Sequence, residues 1–137
     1  MVCIYCGSET RVINSRLQKR VNHVWRRRSC PNCKAVFTSI EAADLASSLS
    51  FATSHNEAQP FSRDRLFISL YDSLRHRPSV FDDATALTAT ILSKVTHRAK
   101  SAVVPRALLI QTTLEALKHF DKAAHVSYAA FHQPKLT

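Results

Sequence analysis

The chain has 137 residues, of which 45% are hydrophobic and 21% are charged. This length fits one ordinary domain or two very small ones, and it excludes a large enzyme with separate cofactor and substrate domains. The apolar fraction argues against wholesale disorder, and prolines and charges interrupt every apolar run before the roughly 18 residues that span a bilayer. We therefore expect a soluble protein without a membrane partner, and an N-terminus that lacks a secretory pattern predicts a cytoplasmic location.

The net charge is +9, a surplus that favours polyanionic partners such as nucleic acids or nucleotide phosphates. Residues 1–44 contain eight Lys or Arg against three Asp or Glu, whereas residues 45–137 contain eleven against seven. The basic surplus is therefore concentrated in the N-terminal third of the chain.

All four cysteines lie in that third, as two C-x-x-C pairs separated by 23 residues. The four are Cys3, Cys6, Cys30 and Cys33. This spacing is typical of a structural zinc site, in which two tight turns close a tetrahedron of thiolates around one Zn²⁺. Two disulfides, a single redox pair or an iron-sulfur cluster are the alternatives, and each is normally found in another compartment, fold or spacing.

Three short stretches around the cysteine pairs alternate in polarity with the period of two that predicts β-strands. They run from Arg11 to Arg16, from His23 to Arg28 and from Ala35 to Ile40. Three strands and one metal describe a zinc ribbon, and the alternation predicts that Arg26 and Arg28 lie on one side of the sheet and Arg27 on the other. These arginines are candidate phosphate contacts, or they form a solvated surface that only keeps a small domain soluble.

The remaining chain indicates a helical domain. Residues 45–61 are predicted to form either a linker or a weak β-hairpin with residues 54–57 at its turn. Four helical segments follow: one after Ser62, one from about Asp82, one from Pro105 and one from about Ala124 to His132. Short connections between them predict a compact bundle.

Several sequence motifs, taken in order, carry a resemblance to a known family. They are Cys3-Ile-Tyr-Cys6-Gly-Ser, Val12-Ile-Asn-Ser15-Arg16, Arg26-Arg-Arg28-Ser-Cys30-Pro-Asn-Cys33, Phe37-Thr38, Pro60-Phe61, Arg65-Leu66, Arg77-Pro78, Val104-Pro105 and Leu117 to Asp121-Lys122. This combination resembles NrdR, the bacterial transcriptional repressor of ribonucleotide reductase genes. The resemblance implies a ribbon that binds operator repeats in double-stranded DNA, followed by an ATP-cone that senses ATP and dATP and sets the oligomeric state.

Carried over by position, the resemblance implies that the four cysteines hold zinc and that the DNA side includes Ser15, Arg16, Arg26, Arg27 and Arg28. Arg11 is a further DNA-binding candidate, since it is a basic residue on the first predicted strand.

For nucleotide binding, the resemblance points to four positions of the cone: Thr53, Arg65, His76 and Arg77. Thr53 stands near the place of a phosphate-binding lysine in similar cones, and residues 125–128 lack an arginine that the family has. A triphosphate needs several cations or amides to offset its desolvation, so these losses predict weakened or altered nucleotide binding.

The sequence predicts an α+β protein: a zinc-ribbon DNA-binding domain at 1–44 and an ATP-cone-like domain, a β-hairpin with four helices, at 45–137. With scattered histidines and a single glycine, we expect no enzyme activity. The predicted function is a zinc-dependent, homo-oligomeric repressor of ribonucleotide reductase genes, nucleoid-associated, with ATP or dATP as effector. The alternatives are an RNA-binding or protein-interaction module with a non-sensing cone, and a cysteine redox switch.

Overall fold

The computed structural model describes residues 1–52 and 58–132. The chain divides into two compact units, Met1–Ala43 and Asp44–Thr137. The first is a three-stranded sheet that carries the four cysteines, and the second combines helices with a small sheet. The predicted α+β class is therefore confirmed.

The first unit consists of three antiparallel strands in the order β1-β2-β3. They are β1 (Arg11–Gln18), β2 (His23–Ser29) and β3 (Val36–Ala42). The three predicted strands are confirmed. Strands β1 and β2 extend two residues and one residue beyond their predicted ends, and β3 begins one residue later and ends two residues later than predicted. The buried core of this unit is limited to Cys3, Cys30 and Phe37, with Ala35 packed against it. A core of this size needs a metal or a cross-link to hold the fold.

In its described residues, 44–52 and 58–132, the second unit contains five helices and three short strands. The helices are α1 (Leu45–Ser48), α2 (Arg63–Ser73), α3 (Val80–Arg98), α4 (Arg106–Phe120) and α5 (Lys122–Phe131). The strands are β4 (Ser50–Ala52), β5 (Ala58–Pro60) and β6 (Val103–Pro105). The four long helices correspond to the four predicted ones, so the prediction lacked only the single turn of α1.

Side-chain caps explain where two of the four long helices begin. The hydroxyl of Ser62 accepts a hydrogen bond from the Arg65 N–H at the start of α2 (3.3 Å), as a serine N-cap does. A carboxylate oxygen of Asp121 accepts from the Ala124 N–H at the start of α5 (2.9 Å). Pro105, which directly precedes α4, supplies a fixed φ at that helix start.

The small sheet differs from the predicted hairpin. Strand β4 pairs antiparallel with β5, as a hairpin does, but it also pairs in parallel with β6. Residues 54–57, predicted as the turn, lie outside the described residues. The third strand was missed because three residues ending in a proline show no alternation, and parallel pairing with β4 depends on tertiary structure alone.

The core of the second unit lies between its long helices. Its fully buried side chains include Leu70, Leu74, Ile91, Val95 and Leu117. On α2, Leu66 and Leu70 are buried, and Phe67 is packed against the same cluster. Within residues 1–52 and 58–132, no helix has the length and apolar content to cross a membrane.

Candidate metal centre and nucleic-acid interface

The four cysteine thiols converge on one point of the first unit. Their Sγ atoms all lie within 4.8 Å of one another, with Cys3 and Cys33 3.6 Å apart and Cys6 and Cys30 3.5 Å apart. Four sulfurs at about 2.3 Å from a tetrahedral Zn²⁺ are separated by about 3.8 Å, so the cluster is close to the size of a zinc site. A disulfide needs sulfurs about 2.05 Å apart, and the four cysteines are free.

Each cysteine pair lies on a tight backbone turn. In the first, the Gly7 N–H donates to the Cys3 carbonyl (2.9 Å) and the Cys3 N–H donates to the Ser8 carbonyl (2.8 Å). In the second, the Lys34 N–H donates to the Cys30 carbonyl (3.0 Å) and the Cys30 N–H to the Ala35 carbonyl (2.9 Å). The two turns therefore share one hydrogen-bond pattern and present their thiols in the same way.

The thiols influence one another's ionisation. Hydrogen bonds from the Ser8 hydroxyl, and then from its backbone, lower the pKa of the Cys6 thiol to about 6. At Cys33 the backbone N–H of Ala35 lowers the pKa, but desolvation and the three neighbouring thiols outweigh it and raise the pKa to about 12. The Cys6 thiol therefore loses its proton readily, whereas loss of the proton from Cys33 is unfavourable beside the other thiols. A bound divalent cation would make the second deprotonation favourable.

The chemistry of this donor set fits zinc. Four thiolates from two turns form a closed tetrahedral set, as in structural zinc sites, without the open position that a catalytic zinc requires. The aromatic ring of Tyr5, on the first turn, packs edge-on against Phe37 with ring centres 6.4 Å apart. One zinc ion could therefore be held by these residues and connect the two turns to the sheet.

The strand register divides the side chains of the sheet between two faces. Because directly paired residues point to the same side, the pairs fix the assignment. One face carries Phe37, which is buried together with Cys3 and Cys30, and we call it the zinc-side face. It contains Val12, Ser15, Leu17, Val24, Arg26, Arg28, Phe37, Ser39 and Glu41. The open face contains Arg11, Asn14, Arg16, Gln18, His23, Trp25, Arg27, Ser29, Val36, Thr38, Ile40 and Ala42.

A β-bulge decides which face Arg11 occupies. The register shifts between Val12 and Asn14, so Ile13 has no partner on β2. In a strand without a bulge, Arg11 and Arg16 would lie on opposite faces of the sheet, because they are an odd number of residues apart. The extra residue at the bulge shifts this alternation by one position. Arg11 pairs with Ser29 and therefore shares the open face with Arg16.

The arginines of the zinc-side face are held by neighbouring strands. Arg26 donates to the Glu41 carboxylate at 2.7 Å, in an ion pair. Arg28 donates to the Ser39 hydroxyl (2.8 Å) and reaches the Thr10 hydroxyl (3.4 Å). Their guanidinium groups are therefore engaged within the sheet.

The arginines of the open face are exposed instead. Arg11, Arg16 and Arg27 are exposed, and none of them forms a hydrogen bond or ion pair with any residue in the described ranges. The six residues predicted to contact DNA thus divide equally: Arg11, Arg16 and Arg27 lie on the open face, and Ser15, Arg26 and Arg28 lie on the zinc-side face. As the alternation predicted, Arg26 and Arg28 point to one side of the sheet and Arg27 to the other.

One comparison with known proteins matches this unit. Residues 1–41 match the family model described as the N-terminal domain of the transcriptional repressor NrdR-like proteins, a zinc ribbon. Residues 1–41 are an NrdR-like zinc ribbon. The resemblance predicted from the cysteine pairs and the arginine-rich strands is therefore confirmed, and the NrdR-like family consists of transcriptional regulators rather than enzymes.

The NrdR-like ribbon contains contacts that sequence reasoning missed. Glu41 and Ser39 bind two of the three consecutive arginines, and Ser8 acts on the Cys6 thiol. Strand alternation could have indicated Glu41 and Ser39, because both lie an even number of residues from the buried Phe37 on β3 and therefore on the same face. No sequence signal indicates Ser8. With its four-cysteine site, the NrdR-like ribbon fits a zinc-binding transcription regulator.

Among the candidate nucleotide-binding residues that the structure describes, Arg65 is separated from His76 and Arg77 by the length of α2. Thr53 lies outside the described residues. Arg65 lies in the first turn of α2, whereas His76 and Arg77 follow its last turn. Arg65 lines a cavity of about 520 Å³ between α2 and α5, which also includes the exposed side chain of Phe131.

His76 and Arg77 are bound by carboxylates of the same unit. Arg77 donates to Asp83 (2.7 Å) and to Asp121 (3.1 Å), and its guanidinium lies 4.7 Å from the ring centre of Phe120. The His76 imidazole lies 3.1 Å from the same Asp121 oxygen. Asp83 and Asp121 raise the pKa of Arg77 further. These contacts join the α2–α3 loop to the α4–α5 junction, so both cations have partners in the fold.

Proposed function

We propose that this protein is a zinc-dependent, DNA-binding transcriptional repressor of ribonucleotide reductase genes. The observation that carries the proposal is the NrdR-like ribbon at residues 1–41, whose four thiols converge to the size of a zinc site in the most basic third of the chain. Its partner is double-stranded DNA with operator repeats, and its location is the cytoplasm, on the nucleoid.

In this proposal zinc has a structural role. Cys3, Cys6, Cys30 and Cys33 are the ligands, and the ion links the two knuckle turns to β2 and β3. The buried core of the ribbon is too small to hold the sheet, so binding of the metal supplies most of its folding free energy. The metal thereby fixes the arginines in position without contacting DNA itself.

The second unit supplies regulation in this proposal: it forms the homo-oligomer, with ATP or dATP as effector. Support for the effector comes from the cavity beside α2, because its volume falls in the range of ligand sites and it is lined by Arg65 and Arg75. Arg75 is also paired with Asp72 at 2.7 Å, so Arg65 is the cation that a phosphate group would meet first.

The experiment is a fluorescence-anisotropy titration of the zinc-loaded protein. Promoter DNA from the host's ribonucleotide reductase genes is compared with a scrambled duplex and with a structured RNA, at one fixed salt concentration near the physiological value. Fixed salt is essential because phosphate contacts alone produce salt-dependent affinity. A preference for the promoter of about a thousandfold supports the repressor.

The same titrations can also contradict the repressor or support an alternative function. Equal binding to both duplexes contradicts the repressor, and a preference for the RNA supports the binding-module alternative. Repeating the titration with ATP and dATP, alongside sedimentation of the protein, tests the effector and the oligomer: a change in promoter affinity and in mass supports both.

A further inference from the structure

The open face of the ribbon combines several groups that recognise DNA. Three of its side chains are arginines, Asn14 is paired directly with Arg27, and Thr38 continues that row on β3. None of the strand residues on this face, all within the described part of the chain, is acidic, since Glu41 lies on the zinc-side face. The face is therefore complementary in charge to a polyanion.

The spacing of the open-face arginines matches a groove of B-form DNA. Arg11 and Arg16 lie on the edge strand β1, and their partners on β2, Ser29 and Trp25, are four positions apart. At about 3.3 Å per residue, the two arginines are therefore about 13 Å apart along the strands. The major groove is about 12 Å wide and admits a two-stranded ribbon.

The polar pair Asn14 and Arg27 lies between the two edge arginines along the strand direction. When Arg11 and Arg16 contact the phosphates on either side of the groove, the Asn14–Arg27 pair lies over the base edges at the floor of the groove. Guanidinium groups bind guanine O6 and N7 in bidentate fashion, and carboxamides bind adenine N6 and N7 in the same way. The central pair therefore has the chemistry of base readout, and the outer arginines have the chemistry of phosphate binding.

The zinc-side face offers much less to DNA. Arg26 is paired with Glu41 at 2.7 Å, and Arg28 donates to Ser39 at 2.8 Å. The Arg26 side chain is 33% exposed and Arg28 is half-buried, whereas Arg27 is exposed. On geometry alone, the three consecutive arginines of β2 thus separate into two that are engaged within the ribbon and one, Arg27, that is available.

We propose that the open face of the β1–β2 hairpin enters the major groove of double-stranded DNA, where Asn14 and Arg27 read base edges while Arg11 and Arg16 bind the flanking phosphates. This inference rests on the proposed function and adds to it which face, which groove and which residues are used. It also assigns Arg26 and Arg28 to the structure of the ribbon.

The test separates base readout from phosphate binding. In the promoter and scrambled-duplex titration, Arg27→Lys keeps the positive charge but loses the bidentate fork, so promoter affinity falls about 10- to 100-fold while scrambled-duplex affinity is retained. Asn14→Ala gives the same selective loss. Arg16→Ala weakens binding to both duplexes alike and reduces the salt slope by about one.

Two control variants are matched to these substitutions. Arg26→Gln combined with Glu41→Gln removes the ion pair on the opposite face without changing the net charge, and it leaves promoter preference unchanged. Lys94→Ala removes one positive charge from the exposed surface of α3, and it also leaves the preference unchanged. One zinc per chain in every variant shows that the ribbon is folded.

The single tryptophan gives a second readout in the unmodified protein. Trp25 lies on the open face, paired with Arg16 and Ile40, so bound promoter DNA shields its indole from a soluble quencher. Promoter preference that survives Arg27→Lys and Asn14→Ala, or a quencher effect unchanged by DNA, overturns the inference while the repressor proposal stands. Wild-type protein that does not distinguish the two duplexes contradicts the proposed function itself.

Discussion

Lys34 occupies in the second cysteine knuckle the position that Gly7 occupies in the first. Both residues have a left-handed backbone, with φ of 63° at Lys34 and 74° at Gly7. Each N–H donates to the carbonyl of the first cysteine of its pair, at 3.0 and 2.9 Å. The two turns are therefore alike in backbone geometry although only one contains glycine, and at Lys34 a side chain accepts a conformation that usually favours glycine.

This relationship predicts the effect of a methyl group at Gly7. A Cβ there would meet no atom within 4 Å, so Gly7→Ala tests the backbone alone. We expect the zinc-bound ribbon to lose about 1–2 kcal/mol, which is the cost of a left-handed conformation for a residue with a Cβ. Competition with a metal indicator measures this as zinc affinity reduced by about tenfold.

The control for Gly7→Ala is Lys34→Ala, which removes the exposed hydrogen bond from Lys34 Nζ to the Pro31 carbonyl (2.8 Å) but keeps a Cβ in the same backbone conformation. It should change zinc affinity much less. Equal affinity of Gly7→Ala and wild type would contradict the argument from φ.

Removal of zinc should unfold the ribbon and leave the helical unit folded. The buried core of the ribbon comprises three residues, two of them cysteines, whereas the second unit has a buried apolar cluster of its own. A strong chelator should shift the emission of Trp25 to that of an exposed indole while the far-UV helical signal persists, and added zinc should reverse the shift. Loss of the helical signal together with the emission change would contradict this prediction.

The carboxylate of Asp121 should make the second unit sensitive to acid. The hydrogen bond from the Ala124 N–H, followed by those from His76 and Arg77, lowers the pKa of Asp121 to about 2 from an ordinary value of 3.8. Because the folded-state pKa is the lower one, this stabilisation is present above about pH 4 and is lost as the pH falls towards 2. Asp121→Asn keeps a capping side chain but removes the charge.

We therefore expect Asp121→Asn to be less stable than wild type at neutral pH, with the two stabilities converging between about pH 4 and pH 2. Urea unfolding followed by the far-UV signal at several pH values measures this. Asp82→Asn, at an exposed carboxylate without a partner in the described ranges, should show a smaller difference. A constant difference between Asp121→Asn and wild type at all pH values would oppose the assignment.

A cavity in the core of the helical unit should lower the stability of that unit without changing the zinc affinity of the ribbon. Ile91 is fully buried on α3, so Ile91→Ala should cost about 2–5 kcal/mol in the second unit. Thermal unfolding measured by the far-UV signal tests this, and zinc affinity should stay at the wild-type value. Thr90→Ala, at the exposed neighbouring position, should change stability by less than about 0.5 kcal/mol.

Most of the architecture could be predicted from local signals. Alternating polarity located the three ribbon strands, Ser62 marked the start of α2, and Pro105 marked the start of α4. The missed elements, α1 and β6, are too short for any periodicity. Strand β6 forms because the chain returns to pair with β4, more than fifty residues earlier in the sequence, and no local pattern records that pairing.

The candidate sites were predictable to different degrees. The cysteine cluster could be predicted because metal geometry fixes the ligand type and the spacing within each pair. The roles of the cations could not, because a carboxylate partner distant in sequence decides whether an arginine is available. Arg77 is bound by Asp121, 44 residues away, and Arg26 is bound by Glu41 on the next strand.

By itself, the sequence determined the thiol set, the class of fold and the basic character of the ribbon, because spacing, periodicity and charge are properties of neighbouring residues. Only the tertiary structure decided which arginines are exposed. The bulge at Ile13 turns Arg11 to the face of Arg16, and the pairing of β2 with β3 binds Arg26 while leaving Arg27 exposed. Register between strands is a non-local property, and one inserted residue reverses the face of every side chain beyond it.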